Sequence, residues 1–487
     1  MEKFFKLKER GTNVKTEIVA GITTFFALAY IVFVNPDQVA AGGANGWLVG
    51  IGADPAVVGQ IWNAVFVASI LAAVIGTLLM AFYANLPFAQ ACGMGLNSFF
   101  CTVFVAGTFF AGGDIMQGYQ AGVVIIFVSG LIFLVLSITG LREYIAKAMP
   151  ECLKKSIPAG IGMFIALIGF KNAGIIRDNQ FTFVEFFNIQ KLLVLEDGFT
   201  PNPDAVSLIL PPLVALFGVI VIAVLAKLKV KGEVLIGIAA SAILYYIFAG
   251  QSISFDLGHI GQSFQDFANV GVAAIFKAES WTNAFTLPSL GGIFSIIMLI
   301  ITFCLVDMFD TIGTLYGTAA QANMLDENGD PKDVDKAMVC DSVATVSGAV
   351  LGTSTCTTFV ESASGVAAGG RTGLTSVVTA ICLLLCLFVS PLASIIPSCA
   401  TAPALIYVGV LMLKNFRLVD MDDMRSAVPA FLTLFMMPFT YSIANGIGIG
   451  AIAYVLITLF TGKFTKKDIV VTIIAILFVL KFTLVKM

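Results

Sequence analysis

The sequence predicts an all-α polytopic membrane protein, and three observations lead to that prediction. Of its 487 residues, 58% are hydrophobic and only 12% are charged, and the mean hydropathy is +0.97. A soluble domain of ordinary composition carries about 25% charged residues. Apolar runs recur along the whole chain at roughly the 17 to 25 residues that a membrane-spanning helix needs. Lysine and arginine residues are concentrated in alternate loops between these runs.

Fourteen transmembrane segments are predicted. Two of them, segment 3 at 86–105 and segment 10 at 352–370, open with Gly, Pro and small polar residues, which predicts a short extended stretch followed by a half-helix. Unpaired backbone is excluded from lipid, so both segments are expected to line one buried site. The C-terminal segment 463–487 contains a further apolar stretch, 468–486, whose role as a fifteenth span or a surface helix is left open. The other twelve are continuous apolar runs near 17–34, 60–82, 120–140, 157–170, 207–226, 232–250, 288–306, 337–351, 372–396, 401–413, 427–445 and 446–462.

The positive charges predict the orientation of these segments. The N-terminal arm and the loops after even-numbered segments hold 21 Lys and Arg residues, whereas the loops after odd-numbered segments hold four. Loops rich in Lys and Arg stay in the cytoplasm. The N-terminus and the loops around Lys154, Lys229 and Arg425 are therefore expected to be cytoplasmic in a cell membrane.

The two halves of the chain resemble each other weakly and in the same order. The segment 157–170 parallels 402–413, and 236–250 parallels 447–462. LILPPLVALF at 208–217 likewise parallels SAVPAFLTLF at 426–435. A repeat of seven segments must insert with inverted topology, and such repeats bury their substrate near the midplane. Coincidental similarity between apolar runs is the alternative explanation.

Several classes of function find no support in the composition. The net charge of −3 argues against a nucleic-acid partner. The nine cysteines form no CxxC pair and are predicted to be buried small hydrophobes, and the single histidine, His259, lies in a polar loop, so no metal site is expected. The acidic loops 326–336 and 420–423 are interpreted as solvated surface, and no cleavable signal peptide is recognised at the N-terminus.

The first interrupted segment contains LPFAQACGMGLNSFFC at 86–101. Gly93 and Gly95 permit a tight entry into a half-helix and a close approach of a ligand to its free N–H groups. Asn97 offers a hydrogen-bond donor and an acceptor. The alternative is that the glycines only pack helices and that Asn97 bonds a neighbouring carbonyl group.

The second interrupted segment places Glu361 at membrane depth among Thr, Ser and Gly. Intramembrane carboxylates usually face a substrate path because exposing them to lipid costs free energy. Phe359 offers a flat apolar face, and Glu361 could receive two adjacent N–H donors, which together suit a planar heterocycle. A capping glutamate without a ligand is the alternative.

The run ITFCLVDMFDTIGTLYG at 301–317 places Asp307 and Asp310 on one helical face, with Thr314 one turn beyond Asp310. Two carboxylates this close rarely both ionise in a medium of low dielectric constant, so one is expected to exchange a proton. The alternative, favoured for Asp307, is a structural hydrogen bond to a neighbouring Ser or Thr.

Four motifs together resemble the AzgA-like purine permease branch of the nucleobase/ascorbate transporter (nucleobase:cation symporter-2) family, over essentially the whole chain. They are ACGMGLNSFF, FDTIGTLYG, TTFVESASGV and GRTGLT. The resemblance implies a fold of two inverted seven-segment repeats divided into a core domain, 17–140 and 288–396, and a gate domain, 150–250 and 401–462. One departure is Cys92, where relatives often carry Pro before GMG.

The resemblance also assigns roles to residues. Asp310 and Glu361 match the carboxylates that hold the base and link it to a proton. The full set of substrate contacts expected from the residues and from the resemblance is Glu361, Phe359, Asp310, Asn97, Thr314, Gly93, Met94 and Ser362.

The resulting hypothesis is a secondary active transporter, not an enzyme, that imports adenine, guanine or hypoxanthine with protons by an elevator-like movement of the core. No GxxxxGK[ST] motif is present, so an ion gradient rather than ATP is expected to supply the energy, and no cofactor is expected. The purine preferred, H⁺ against Na⁺ coupling and the formation of a homodimer are left open.

Three other functions fit parts of the sequence. A transporter of small anions, or of uracil or xanthine, could use the same architecture, although two carboxylates would repel an anion. An intramembrane aspartyl protease could recruit Asp307 and Asp310, but no GxGD motif follows. A passive channel would need no protonatable site.

Overall fold

The computed structural model describes residues 2–140, 149–179, 182–193, 202, 205–250, 258–321, 333–393 and 395–484. The predicted acidic turn 326–336 lies outside these residues apart from 333–336. The main helices are α1 Val14–Leu28, α2 Ile31–Val39, α3 Pro55–Leu79, α4 Met94–Phe100, α5 Ile115–Ile138, α6 Glu151–Asn172, α7 Ala205–Lys227, α8 Glu233–Ala249, α9 Ile293–Gln321, α10 Val334–Leu351, α11 Ser362–Ala367, α12 Gly373–Leu385, α13 Ser398–Leu413, α14 Met424–Phe439, α15 Ile443–Phe460 and α16 Ile469–Leu484.

The remaining elements are short. Strands are β1 Gln90–Cys92, β2 Ile176–Asn179, β3 Phe183–Phe186 and β4 Cys356–Thr358. Short α-helices lie at Glu2–Phe5, Trp47–Gly50, Gly107–Phe110, Ile189–Leu193, Gly258–Asp266, Ala273–Phe276, Ala278–Thr286 and Ser390–Ala393. Turns of π-helix lie at Met80–Ala84, Cys101–Ala106 and Phe267–Val272, and turns of 3₁₀-helix lie at Gly43–Asn45, Pro288–Leu290, Cys386–Val389, Lys414–Leu418 and Lys466–Asp468.

The chain is a mostly helical polytopic membrane protein, as predicted. Within the described residues, nine helical stretches are long and apolar enough to cross a bilayer, and four shorter apolar helices accompany them. Helices satisfy every backbone hydrogen bond within one segment, which a lipid environment requires. Each of the fourteen predicted segments overlaps a helical element, but the count of fourteen and the inverted repeat stay predictions.

Two predicted boundaries are wrong. Segment 8 is predicted to end at 306, but α9 continues to Gln321. Polar residues beyond 306 do not end the helix, and two of them, Asp307 and Thr311, are buried. The predicted division between segments 13 and 14 at 445/446 lies inside α15. The chain turns earlier, near Ser442, whose side chain accepts a hydrogen bond from the Asn445 backbone N–H and so caps α15.

Several helix starts have the aspartate caps that such sequences favour. The side chain of Asp54 accepts from the Ala56 N–H ahead of Pro55 at the first turn of α3. Asp114 and Asp423 cap α5 and α14 in the same way. These aspartates therefore mark the starts of three of the main helices.

The long helices pack in two groups. One group contains α1, α3, α5, α9, α10 and α12, and the other contains α6, α7, α8, α13, α14 and α15. The groups meet mainly along α6, which packs against α4 and α9. An interface with few shared elements is the kind at which two bodies can move relative to each other.

The apolar C-terminal stretch forms the helix α16, which packs on α15. Phe478 is 1% exposed and lies against Gly448, where an added Cβ would come within 2.5 Å of its ring. The stretch is thus an ordered helix beside the bundle.

Candidate functional site

The two interrupted segments meet at a pair of short strands. β1 and β4 run antiparallel, with Gln90 opposite Thr358 and Cys92 opposite Cys356. The pairing is extended at its ends by the Phe359 N–H, which donates to the Ala89 carbonyl at 3.0 Å, and by the Gly93 N–H, which donates to the Thr355 carbonyl at 3.0 Å. These bonds satisfy backbone groups that helices cannot, and they bring the starts of α4 and α11 together.

Glu361 directly precedes α11, but its side chain does not cap this helix. It makes no side-chain cap hydrogen bond. Instead its Oε1 accepts a hydrogen bond of 2.6 Å from the hydroxyl of Tyr30, a fully buried residue in the turn between α1 and α2. Its Oε2 is buried and has no hydrogen-bond partner among the described residues. One carboxylate oxygen is therefore held in place and the other is open, so the predicted two-oxygen fork is reduced to one available oxygen.

Asp310 lies near Glu361. Its Oδ2 is 3.8 Å from the position that a Cβ on Gly93 would occupy, so the glycine leaves room for the carboxylate at the start of α4. Asp310 is within electrostatic range of Glu361, and its carboxylate makes no hydrogen bond to the described part of the chain. The two open carboxylates of the site thus come from α9 and from the second interrupted segment.

Asp307, unlike Asp310, is held by a side-chain hydrogen bond. The Thr345 hydroxyl donates to its Oδ2 at 2.8 Å and also lies 3.0 Å from the Cys356 carbonyl oxygen. The sequence interpretation that favoured a structural hydrogen bond for Asp307 agrees with this contact. Thr314 lies one turn beyond Asp310 and is half-buried.

The first interrupted segment supplies neutral polar groups. The Asn97 side-chain amide donates to Asn35 Oδ1 at 2.6 Å, and its own Oδ1 is buried without a hydrogen-bond partner in the described chain. The Gly93 N–H is bonded to the Thr355 carbonyl group, so it is not one of the free N–H groups that the half-helix was expected to offer a ligand. An added Cβ at Gly95 would come within 2.4 Å of Ile161 on α6. Gly95 therefore has the packing role that was the alternative interpretation.

The other predicted contacts divide into apolar and structural positions. Met94 and Phe359 are each 6% exposed and belong to the apolar core. The Ser362 hydroxyl accepts a hydrogen bond of 3.0 Å from the Ala89 N–H, so it joins the two interrupted segments. Cys92 is fully buried, with its Sγ 3.6 Å from Cys356 Sγ.

Several residues that support the site were not predicted. Tyr30 and Asn35 approach from the first span, and Asn35 could have been suspected because it opens a polar run, NPDQ, inside an apolar stretch. Asp341 is a further buried carboxylate, which accepts hydrogen bonds from Thr311 Oγ1 at 2.6 Å and Gln90 Nε2 at 3.2 Å. Tyr30 has no distinguishing feature in the sequence, because tyrosine is common in apolar spans.

The GRTGLT motif has a structural role, because it forms the start of α12 and binds the buried carboxylate of Glu17. Glu17 of α1 is fully buried and accepts hydrogen bonds from the backbone N–H groups of Arg371, Thr372 and Thr375 at 2.9, 3.3 and 3.1 Å. A carboxylate at a helix N-terminus is stabilised by the free N–H groups and the helix dipole. Glu17 thereby attaches α12 to α1, close to the segment that holds Glu361.

Comparison with known proteins gives the family. The chain matches the permease family over residues 15–449. It is 40% identical over 488 residues to the guanine/hypoxanthine permease PbuG of Bacillus subtilis, covering 100% of both chains. It is 36% identical over 481 residues to the adenine permease AdeP of Escherichia coli, covering 99% of this chain and 95% of that one.

A solved structure shares the fold. The transmembrane domain of the cyanobacterial bicarbonate transporter BicA superposes with a TM-score of 0.56 and 14% sequence identity, covering 89% of this chain and 97% of that one. One family matches most of the chain, and the fold is that of a transporter. Both findings agree with the resemblance of the four motifs to purine permeases. The chain belongs to the permease family, in the AzgA-like purine permease branch of the nucleobase/ascorbate transporters, and is a membrane transporter and not an enzyme.

Proposed function

We propose that the protein imports purine nucleobases by proton symport across the cell membrane. Two relatives that match nearly the whole chain are named for purines, one for guanine and hypoxanthine and one for adenine. The proposal depends on the hydrogen bonding of Glu361. Its Oε1 accepts from the Tyr30 hydroxyl, and its Oε2 is buried without a partner in the described chain. A buried carboxylate oxygen without a donor is costly, and an N–H group of a nucleobase supplies that donor.

The base binds where the strand pair ends and the two half-helices begin. One ring N–H donates to Oε2 of Glu361, and the ring packs on the apolar side chain of Phe359. Asn97 offers its unpaired Oδ1 to a second donor of the base. The hydroxyl of Tyr30 keeps the carboxylate in one orientation, so the contact is formed with little loss of side-chain entropy.

The coupled proton is carried by Asp310. A carboxylate that is close to Glu361 and makes no hydrogen bond within the described chain is free to gain and lose a proton during the cycle. Placing a second negative charge beside Glu361 costs free energy in a medium of low dielectric constant. Protonation of Asp310 therefore favours the arrangement in which the ionised Glu361 holds the base.

The transport step is an elevator-like movement of the core domain, 17–140 and 288–396, past the gate domain, 150–250 and 401–462. The division of the long helices into two packed groups supports this assignment. In this proposal the fourteen segments form two inverted sevens, the N-terminus is cytoplasmic, and the base crosses while it is bound to the core.

A small anion is the weaker candidate substrate. The shared fold with a bicarbonate transporter makes it worth testing, but fold similarity at 14% identity does not carry a substrate from one protein to another. Two carboxylates beside the site would repel an anion. Uracil and xanthine stay alternatives because they offer similar N–H edges.

The test is uptake by purified protein in sealed proteoliposomes with an imposed pH gradient, alkaline inside. Radiolabelled adenine, guanine, hypoxanthine, xanthine, uracil and bicarbonate are compared, with a protonophore and with Na⁺ in place of the proton gradient. We expect accumulation of at least one purine, abolished by the protonophore. Accumulation that persists after the proton gradient is collapsed would contradict proton coupling.

Glu279→Gln is the matched control for variants of Glu361. Glu279 is exposed in the short helix Ala278–Thr286 and is not one of the residues placed at the site, and its replacement removes one negative charge by the same exchange. Uptake by this variant should equal that of the unmodified protein. An equal loss in both variants would show that the assay reports general damage and not the site.

A further inference from the structure

A groove lies between α1 and the start of α8, at a junction of the two helix groups. Its cavity volume is about 490 Å³, and its walls are formed by Val19, Ile22 and Phe26 on α1 and by Leu235 and Ile236 on α8. Gly232 lines it just before α8, where an added Cβ would lie 3.4 Å from the Phe26 carbonyl oxygen. Glu361 and the strand pair are not among the residues that line the groove, and none of its wall residues was predicted to have a function.

The walls are apolar and open to the outside of the protein. Val19 is 45% exposed, Ile22 39%, Phe26 44% and Ile236 43%. In a membrane protein such side chains contact acyl chains and not water. Most lipid-facing surface is convex, whereas this concave strip between two helices surrounds a chain on several sides and gains more dispersion contacts.

A basic side chain stands at one end of the groove. Lys231 donates from Nζ to the Thr23 hydroxyl at 3.0 Å, which uses one of its three N–H donors. It forms no salt bridge with any described residue. Lys227 ends α7, and Lys229 precedes Lys231 in the loop that follows, which the distribution of positive charge assigns to the cytoplasm. Anionic headgroups are enriched at that membrane face and bind juxtamembrane lysines.

We propose that this groove is a binding site for one anionic phospholipid. An acyl chain lies between α1 and α8, and the headgroup phosphate accepts hydrogen bonds from the two remaining N–H groups of Lys231. The occupant contacts both helix groups at once, so it favours the relative position of α1 and α8 seen here. This inference concerns a lipid and does not depend on which substrate the protein transports.

Native mass spectrometry of the detergent-solubilised protein tests the site. Dioleoylphosphatidylglycerol and dioleoylphosphatidylcholine, which have the same acyl chains, are titrated separately. A single basic residue near the membrane surface contributes about fivefold in binding of an anionic lipid. We expect the unmodified protein to prefer the anionic lipid by about that factor, and Lys231→Gln to lose this preference.

Lys229→Gln is the matched control, because Lys229 is an exposed lysine only two residues away and its replacement removes the same charge. This variant should keep the preference for the anionic lipid. Equal losses in Lys229→Gln and Lys231→Gln would overturn the proposal, since they would indicate diffuse surface charge. Equal binding of the two lipids by the unmodified protein would also overturn it.

Two further experiments distinguish the contribution of the headgroup to lipid binding from that of the acyl chain. Glycerophosphoglycerol, the headgroup without acyl chains, should not displace the bound lipid, and displacement by it would overturn the groove as the binding surface. Ile22→Trp fills the groove with a larger side chain at an exposed position and should weaken binding of both lipids. Unchanged lipid binding in this variant would place the lipid elsewhere.

Discussion

The two interrupted segments share a backbone design and differ in chemistry. Each consists of a three-residue strand followed by a short helix, and the strands pair with each other. The first carries only neutral polar groups, and its Gly95 packs against Ile161 of α6 in the other helix group. The second carries the carboxylate of Glu361, and its Gly365 packs against Thr24 of α1, where an added Cβ would come within 2.0 Å. The two segments are therefore alike in backbone but not equivalent, since only the second carries a charged group and only the first packs through its glycine against the other helix group. This difference fits the proposal that Glu361 is the main contact to the base.

The largest effect is expected from Glu361→Gln. Replacing the carboxylate by an amide removes a charge-assisted hydrogen bond, which corresponds to roughly 10- to 100-fold weaker purine binding. Equilibrium binding of radiolabelled base to the purified variant measures this loss, and the thermal midpoint monitors folding. Unchanged affinity in a folded variant would remove Glu361 from the binding site.

Moving the carboxylate from the second interrupted segment to the first tests whether the two segments are equivalent. The double variant Asn97→Asp/Glu361→Gln returns one acidic group to the site, but on the first segment. We expect no recovery of binding, because a carboxylate on the first segment would not be oriented by Tyr30. Recovery to near the original affinity would mean that the two segments are interchangeable.

Asp310→Asn should separate binding from accumulation. The amide cannot exchange a proton, so the base should no longer accumulate inside proteoliposomes with an imposed pH gradient, while its equilibrium affinity should stay close to that of the unmodified protein. Asp307→Asn is the matched control, since Asp307 is bonded to Thr345 and should keep accumulation. If both variants lost accumulation equally, the assignment of the proton to Asp310 would be wrong.

Tyr30→Phe tests how the carboxylate is held. Loss of the 2.6 Å hydrogen bond frees Glu361 Oε1, and we expect affinity to fall by about tenfold or less, because the charge itself stays. The expected signature is a raised KM for uptake with little change in maximal rate. Tyr83→Phe, at an exposed tyrosine, serves as the control and should change neither.

The smallest effect on transport is expected from the glycines. Gly95→Ala places a methyl group against Ile161 across the two helix groups and should slow uptake by about fivefold, with partial rescue by Ile161→Ala. Gly365→Ala meets Thr24 within one group and should lower the thermal midpoint instead. Identical behaviour of the two variants would remove the distinction between a segment that packs against the other helix group and a segment that packs within its own group.

The positions of the segments and the main acidic residues were accessible from the sequence because they depend on local chemistry. Apolar runs of the right length must be helices in lipid, and Glu361 among Thr, Ser and Gly is too costly to face the acyl chains. The end of α9 and the start of α15 were missed because the limits of the segments were taken from the apolar runs, and polar residues such as Asp310 and Asn445 interrupt these runs even where the helix continues. The family motifs pointed to Asp310 as the partner of Glu361 but did not include Tyr30.

By itself, the sequence determined that this chain is a helical membrane protein with two glycine-rich interruptions and with acidic groups at membrane depth. The tertiary structure decided which oxygen of Glu361 is open, because its partner Tyr30 is 331 residues away in the chain. It also decided that Asp307 is bonded to Thr345 while Asp310 faces Gly93. Composition and periodicity follow from each residue's own transfer free energy, whereas hydrogen-bond partners depend on which distant segments pack together.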